Sequence, residues 1–270
     1  MQQGSANLNV MMKAARKAGR SLSKDFREVE NLQVSRKGAG DFVSRADMAA
    51  EKIIREELTE ARPTYGFLGE ETGEVDGQDP TRRWIVDPLD GTTNFLHGLP
   101  HWAVSIALEH KGQLVAAVVY DPTKDEMFVA EKGAGAWMNE MRIRVSPRYR
   151  VEDSLYATGI PFSGRAGELP ETLQDLAKLM PVCAGVRRFG AASLDLAYVA
   201  AARHDLQQGR FPTARRTNDG DELTLVNPEI HVRERDEVIT GVGLRKSFDL
   251  INRRCLLKRR FIIVGLSFYH

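Results

Sequence analysis

The chain is poor in cysteine, in tryptophan and in net charge, and it carries no long apolar run. Its 270 residues include two cysteines, Cys183 and Cys255, far apart in the chain. Two isolated thiols build neither a disulfide framework nor a cysteine-based zinc site, and they are expected as free, at least partly buried thiols in a reducing compartment. Basic residues (38) balance acidic ones (37), for a net charge of +1, which gives no reason to expect nucleic acid as a partner. The late apolar run Phe261 to Phe268 is broken by Gly265 and Ser267 and is too short for a membrane span. The N-terminal stretch is interrupted by Asn7, Asn9, Lys13, Arg16 and Lys17, so it lacks the apolar centre of a signal peptide. A cytoplasmic protein without a membrane partner is expected. The three tryptophans, Trp84, Trp102 and Trp137, leave the C-terminal half without one. No internal repeat or low-complexity tract is present. With 42% hydrophobic and 28% charged residues, disordered, collagen-like and simple coiled-coil chains are excluded.

The pattern along the chain is that of an α+β protein. Leu8 to Val29 predicts a helix. Gly38 to Asp41 predicts a turn, followed by Ser44 as an N-cap, with Asp47 three residues on, opening a helix through about Leu58. An apolar piece, Tyr65 to Leu68, runs into Gly69-Glu70-Glu71, and a polar loop, Gly73 to Arg83, precedes the strand Trp84-Ile85-Val86. Ala103 to Glu109 and Gln113 to Tyr120 predict a hairpin about Lys111-Gly112, continued by Met127 to Ala130, Ala136 to Met138 and Arg142 to Val145. Ser146-Pro147 closes an N-terminal α+β half, residues 1–150. A C-terminal α/β half, 151–270, predicts strands near Leu155 to Thr158 and Val186 to Phe189, and helices over Pro170 to Leu179 and Ala192 to about Ala202.

The chemistry concentrates in Asp87-Pro88-Leu89-Asp90-Gly91-Thr92-Thr93-Asn94-Phe95. Two carboxylates follow a strand across a Pro-containing segment, so they can converge at its end. Gly91 lets the backbone approach a ligand, and the amides and hydroxyls after it suit a phosphate if a helical turn begins there. Carboxylates for a hard cation beside donors for a phosphate oxygen are what metal-assisted phosphate hydrolysis requires. Turn preference alone explains an isolated Asp-Gly; it does not explain both acids together with Thr-Thr-Asn. Glu70-Glu71 and Asp47 are weaker candidates, the first readable as a solvated pair and the second as part of a capping box. His97 and His101 read as loop or interface residues, because magnesium prefers oxygen ligands.

These segments, in order and spacing, resemble the inositol monophosphatase family. The resemblance is carried by Lys37-Gly-Ala-Gly-Asp41 through Asp47, Gly69-Glu70-Glu71, Trp84 to Phe95, Gly98-Leu99-Pro100, Gly133-Ala-Gly135 and Arg188 to Ala197. It implies a layered α/β/α/β/α sandwich and a magnesium-dependent, lithium-sensitive phosphomonoesterase using two or three ions. Carried over position by position, Glu70 and Asp87 would bind one magnesium with the Leu89 carbonyl, and Asp87 and Asp90 a second. Thr92, hydrogen-bonded near Glu70 or Asp47, would orient the attacking water. The Gly91 and Thr92 amides would hold the phosphate, and Asp90 and Ala192 would lie beside the inositol ring. The implied partners are a small phosphorylated substrate and, at most, a second copy in a homodimer.

The family's second metal takes a further aspartate from a Trp-Asp pair in the C-terminal half, preceded by a Gly-Phe-Trp-Glu-like segment. Neither is present, and the resemblance ends near His204-Asp205. From Arg203 onward there are 13 basic residues, 11 of them Arg, against 9 acidic, a change of composition that fits a divergent ending or an altered reading frame. Asp219 and Asp221, around Gly220, are candidate replacement ligands or simply a polar turn. Lys258-Arg259-Arg260 before Phe261 reads as a solvated face, or as a contact with an acidic partner surface. The expected function is hydrolysis of a myo-inositol monophosphate by metal-activated water. The alternatives are a catalytically impaired relative acting as a scaffold, or a phosphatase for a sugar bisphosphate, histidinol phosphate or phosphoadenosine phosphate.

Overall fold

The computed structural model describes residues 4–32, 38–144, 151–159, 169–201, 232–234 and 237–239. Lys37, Ser146-Pro147, Asp219, Asp221, Cys255 and the segment from Lys258 to Phe268 lie outside the described residues.

Two helices open the chain. In α1 (Ala6–Leu32), Leu8, Met11, Ala15, Ala18, Leu22 and Val29 are buried at spacings of three, four and, last, seven residues, one apolar stripe of an amphipathic helix. Ser5 caps it, its Oγ accepting the Leu8 N–H at 3.2 Å. In α2 (Gly38–Ala61), Ala46, Ala50, Ile54 and Leu58 recur every fourth residue and are buried. The expected turn at Gly38 to Asp41 and the Ser44 N-cap are therefore corrected: both lie inside α2, which begins six residues earlier. Inside a helix serine and aspartate cost at most ~0.7 kcal/mol each, so neither stops it. The two helices are clasped by Lys13 and Lys17, which reach Glu57 at 2.7 and 2.5 Å.

They pack on an eight-stranded sheet in the order β2-β1-β3-β4-β5-β6-β7-β8. Its strands are β1 (Tyr65–Gly69), β2 (Gly73–Val75), β3 (Asp79–Asp90), β4 (Ala103–His110), β5 (Gln113–Asp121), β6 (Glu126–Glu131), β7 (Gly135–Met138) and β8 (Met141–Ile143). The β1–β3 pair is parallel, while β3 to β7 form an antiparallel meander. The expected loop at Gly73 to Arg83 instead contains β2 and the first half of β3. Trp84, Val86, Val104, Ile106, Leu108, Val118 and Tyr120 face one core with the helices, following the two-residue period of strands. Lys111 and Gly112, both at positive φ, close the β4–β5 hairpin. A short helix, α3 (Thr92–Leu96), follows β3.

Gly190–Ala197 belongs to the same compact unit as the residues up to Arg142. The second unit contains Ile143–Phe189. In it β9 (Leu155–Ala157) and β10 (Gly185–Arg187) pair in parallel, with α4 (Leu169–Leu179) between them in the chain. The helix α5 (Ala192–Ala200) follows, and a short antiparallel ribbon, β11 (Val232–Glu234) with β12 (Glu237–Ile239), is the last described feature. The architecture is α+β, as the sequence predicts.

Candidate active site

The end of β3 is irregular, and that irregularity makes the site. Its pairing with β4 runs from Arg82↔His110 to Asp87↔Ser105 and then shifts, resuming at Asp90↔Ala103. One extra residue on β3 forms a bulge there, and Pro88 cannot join a ladder. The bulge re-aims Asp87 and Asp90. The Leu89 side chain is fully buried, its N–H donates to Asp87 Oδ1 at 3.1 Å, and its carbonyl accepts the Thr92 hydroxyl at 3.0 Å. The Thr92 hydroxyl is thus tied to the Leu89 carbonyl rather than to Glu70 or Asp47. Gly91, at φ 95° and ψ 30°, starts α3 in the left-handed region. A Cβ there would lie 3.0 Å from the His101 carbonyl and 3.1 Å from the Ala191 Cβ, so glycine is required both for conformation and for space.

Four carboxylates gather around this bulge. Asp47, on α2, is buried and its Oδ1 has no hydrogen-bond partner. Burial, with the charges of Glu71, Glu70 and Glu51, pushes its pKa up to about 8. Glu70 follows β1 and is raised by partial burial and by the charges of Glu71, Asp90 and Glu51, while a hydrogen bond with Asp87 opposes the shift. Asp87 is raised well above the carboxylate range by burial, by Asp90 and Glu70, and by donating that hydrogen bond. Asp90 is raised by burial, against the opposing hydrogen bonds from Ser193. Ser193 N and Oγ both donate to Asp90 Oδ2, at 2.7 and 2.5 Å, and the Ala192 amide adds a further bond. Ala192 is the first residue of α5.

Buried carboxylates that repel one another are stabilised by a cation, and an all-oxygen donor set suits a hard one. The unpartnered Asp47 Oδ1 and the mutual repulsion of Glu70, Asp87 and Asp90 fit that chemistry. Among the described residues no three acidic or histidine side chains close around a common point; Asp90 is turned onto Ser193 and Glu70 is closed onto Asp87.

Three contributors escaped the sequence reading. Glu51, one turn after Asp47 and fully buried, accepts the Glu71 and Thr72 N–H groups at 2.8 and 2.9 Å and so holds the turn that carries Glu70. The four-residue spacing from Asp47 was its only signal. Ser193 had none beyond its place at a helix start. Asp195 pairs with His101, Nε2 to Oδ1 at 2.9 Å, 94 residues apart in the chain. No described helix is long and apolar enough to cross a membrane.

A sequence profile of the inositol monophosphatase family matches residues 5–208. An inositol-1-monophosphatase of Rhizobium meliloti (strain 1021) is 59% identical over 201 residues, 74% of this chain and 75% of that protein. The Nus factor SuhB of Pseudomonas aeruginosa is 46% identical over 201 residues, 73% of this chain and 74% of that protein. Among solved structures, the extragenic suppressor protein SuhB of Bartonella henselae superposes with a TM-score of 0.67 at 57% identity, covering 74% of this chain and 76% of that one.

Proposed function

Because the chain belongs to the inositol monophosphatase family, we propose that it hydrolyses a small phosphate monoester, with a myo-inositol monophosphate as substrate, using magnesium in the cytoplasm. One observation carries this reading: Asp87 and Asp90, at the strand end before the Gly91 start of a helical turn, lie within one another's charge and that of Glu70.

Glu70, Asp87 and the Leu89 carbonyl would hold one magnesium, and Asp87 and Asp90 a second. Bound there, magnesium supplies charge neutralisation at the phosphate oxygens and a lower pKa for the attacking water. The Gly91 and Thr92 amides hold the phosphate. Thr92 donates its own proton to the Leu89 carbonyl, which leaves its oxygen free to accept from the water and to orient it. Glu70 or Asp47, whose pKa values are raised by burial and by neighbouring carboxylates, would accept a proton of that water. Asp90 and Ala192 lie beside the inositol ring.

The test is phosphate release from inositol 1-phosphate by folded protein, with and without millimolar magnesium. Magnesium-dependent release is the expected result. Release only from a sugar bisphosphate, histidinol phosphate or phosphoadenosine phosphate keeps the chemistry and changes the substrate. A second reading, a scaffold without turnover, is favoured by the family match ending at residue 208, by the absence of tryptophan after Trp137, and by a Nus factor among the relatives. No release from any of these esters would favour it, or a defective C-terminal part, over the first.

A further inference from the structure

The loop between α3 and β4, residues 97–102, touches the site at two points. Its His101 carbonyl sits over Gly91, where any Cβ would meet it at 3.0 Å. Its His101 ring reaches α5 and pairs with Asp195 at 2.9 Å. Both side chains of the pair are mostly buried, at 17% and 12% exposure. Asp195 lies half a turn beyond Ser193, whose N–H and hydroxyl hold Asp90. The same loop is braced from elsewhere. Asn94 Nδ2 donates to the His101 carbonyl at 2.7 Å, and Lys124 Nζ donates to the Pro100 carbonyl at 3.4 Å.

A loop fixed at so many points is a rigid anchor, and His101 is the side chain by which that anchor grips α5. We propose that the His101–Asp195 pair is a latch that positions the first turn of α5, and through Ser193 sets the orientation of Asp90 toward magnesium and of the Gly91 amide toward phosphate. His101 and Asp195 are positioning residues and touch neither metal nor substrate. The inference rests on the reading of the site as a magnesium-dependent phosphatase.

Groups that orient a metal-holding side chain typically govern ~10–100-fold in affinity or activity. His101→Phe and Asp195→Leu should each weaken magnesium binding by about tenfold, within that range, when magnesium alone is titrated calorimetrically. The double variant should lose no more than either single one, because the pair acts as a unit. His101→Gln keeps an N–H donor near the Nε2 position and should bind magnesium like the unmodified chain. His101→Asn places its amide near Nδ1 and should behave like His101→Phe. The loss should appear as a raised magnesium requirement and KM, with kcat at saturating magnesium nearly preserved, and with circular dichroism unchanged.

Normal magnesium binding by His101→Phe and Asp195→Leu would overturn the latch while leaving the phosphatase reading standing. Equal losses in His101→Gln and His101→Phe, or additive losses in the double variant, would also overturn it. If the unmodified chain neither binds magnesium nor releases phosphate from any ester, the reading of the site fails, and the latch with it.

Discussion

Asp87 is the residue on which the site turns. It is buried, it hydrogen-bonds Glu70, and in the proposed chemistry it would serve both magnesium ions. Asp87→Asn removes a charge from a repelling cluster and replaces a hard ligand with a poorer one. Turnover should fall by more than the ~10–100-fold typical of groups that only orient a ligand, while the metal-free melting temperature holds or rises. Near-normal phosphate release by that variant would move the metal site elsewhere. The same cluster makes a pH prediction. Asp47, pushed up to about 8, and the raised Glu70, Asp87 and Asp90 keep protons in the folded protein that the unfolded chain has released above its ordinary carboxylate pKa of ~4. The folded state therefore binds more protons from about pH 4 to about pH 8, and metal-free stability should fall as pH rises through that window. Asp79, lowered to about 2 by Thr81 and Arg82, acts in the opposite sense but only below that window, so it does not mask the trend. Magnesium, which replaces those protons, should flatten the slope. Melting curves in chelator and in millimolar magnesium check this, and a metal-free curve that rose with pH would count against the cluster.

At the scale of elements, the site depends on how closely α2 approaches the end of β1. Gly69 ends β1, and a Cβ built on it would lie 2.4 Å from Glu51 Oε2 and 2.5 Å from Glu51 Cδ. Glu51 cannot swing away without releasing the Glu71 and Thr72 N–H groups. Gly69→Ala should therefore cost ~1–3 kcal/mol, the usual range for overpacking, and should displace Glu70. In a Glu51→Ala background that penalty should largely vanish, a coupling that denaturant melts of the four proteins would measure; an undiminished penalty would place the strain elsewhere. The sheet was legible because its hydrophobic alternation and turn residues are local. β4, β5 and the Lys111-Gly112 turn lie within a residue of where the pattern put them. The start of α2 was not, because Ser44 and Asp47 mimic a cap while burial of Ala46, Ala50, Ile54 and Leu58 decides the helix. Within the site, the Asp87–Phe95 segment announced itself, whereas Glu51, Ser193 and the His101–Asp195 pair act through contacts between distant parts of the chain. No spacing rule encodes such contacts.

For the whole molecule, the decisive contrast is between the chain up to residue 208, which the family profile matches, and the rest. The proposed ligands all come from the matched part: Glu70, Asp87 and the Leu89 carbonyl for one ion, Asp87 and Asp90 for the other. In that proposal the second ion would lack the Trp-Asp carboxylate that the family resemblance implies, because no tryptophan follows Trp137. Ligand charge and number set the affinity of a carboxylate site for a hard cation. Calorimetric titration with magnesium should therefore resolve a tighter and a weaker site, and any turnover should demand more magnesium than the Rhizobium relative does. Replacing the residues after 208 with the corresponding quarter of that relative should lower the requirement, because it restores the missing carboxylate. Two equally tight sites in the unmodified chain would mean that an acid outside the matched segment, with Asp219 and Asp221 the first to substitute, completes the second one.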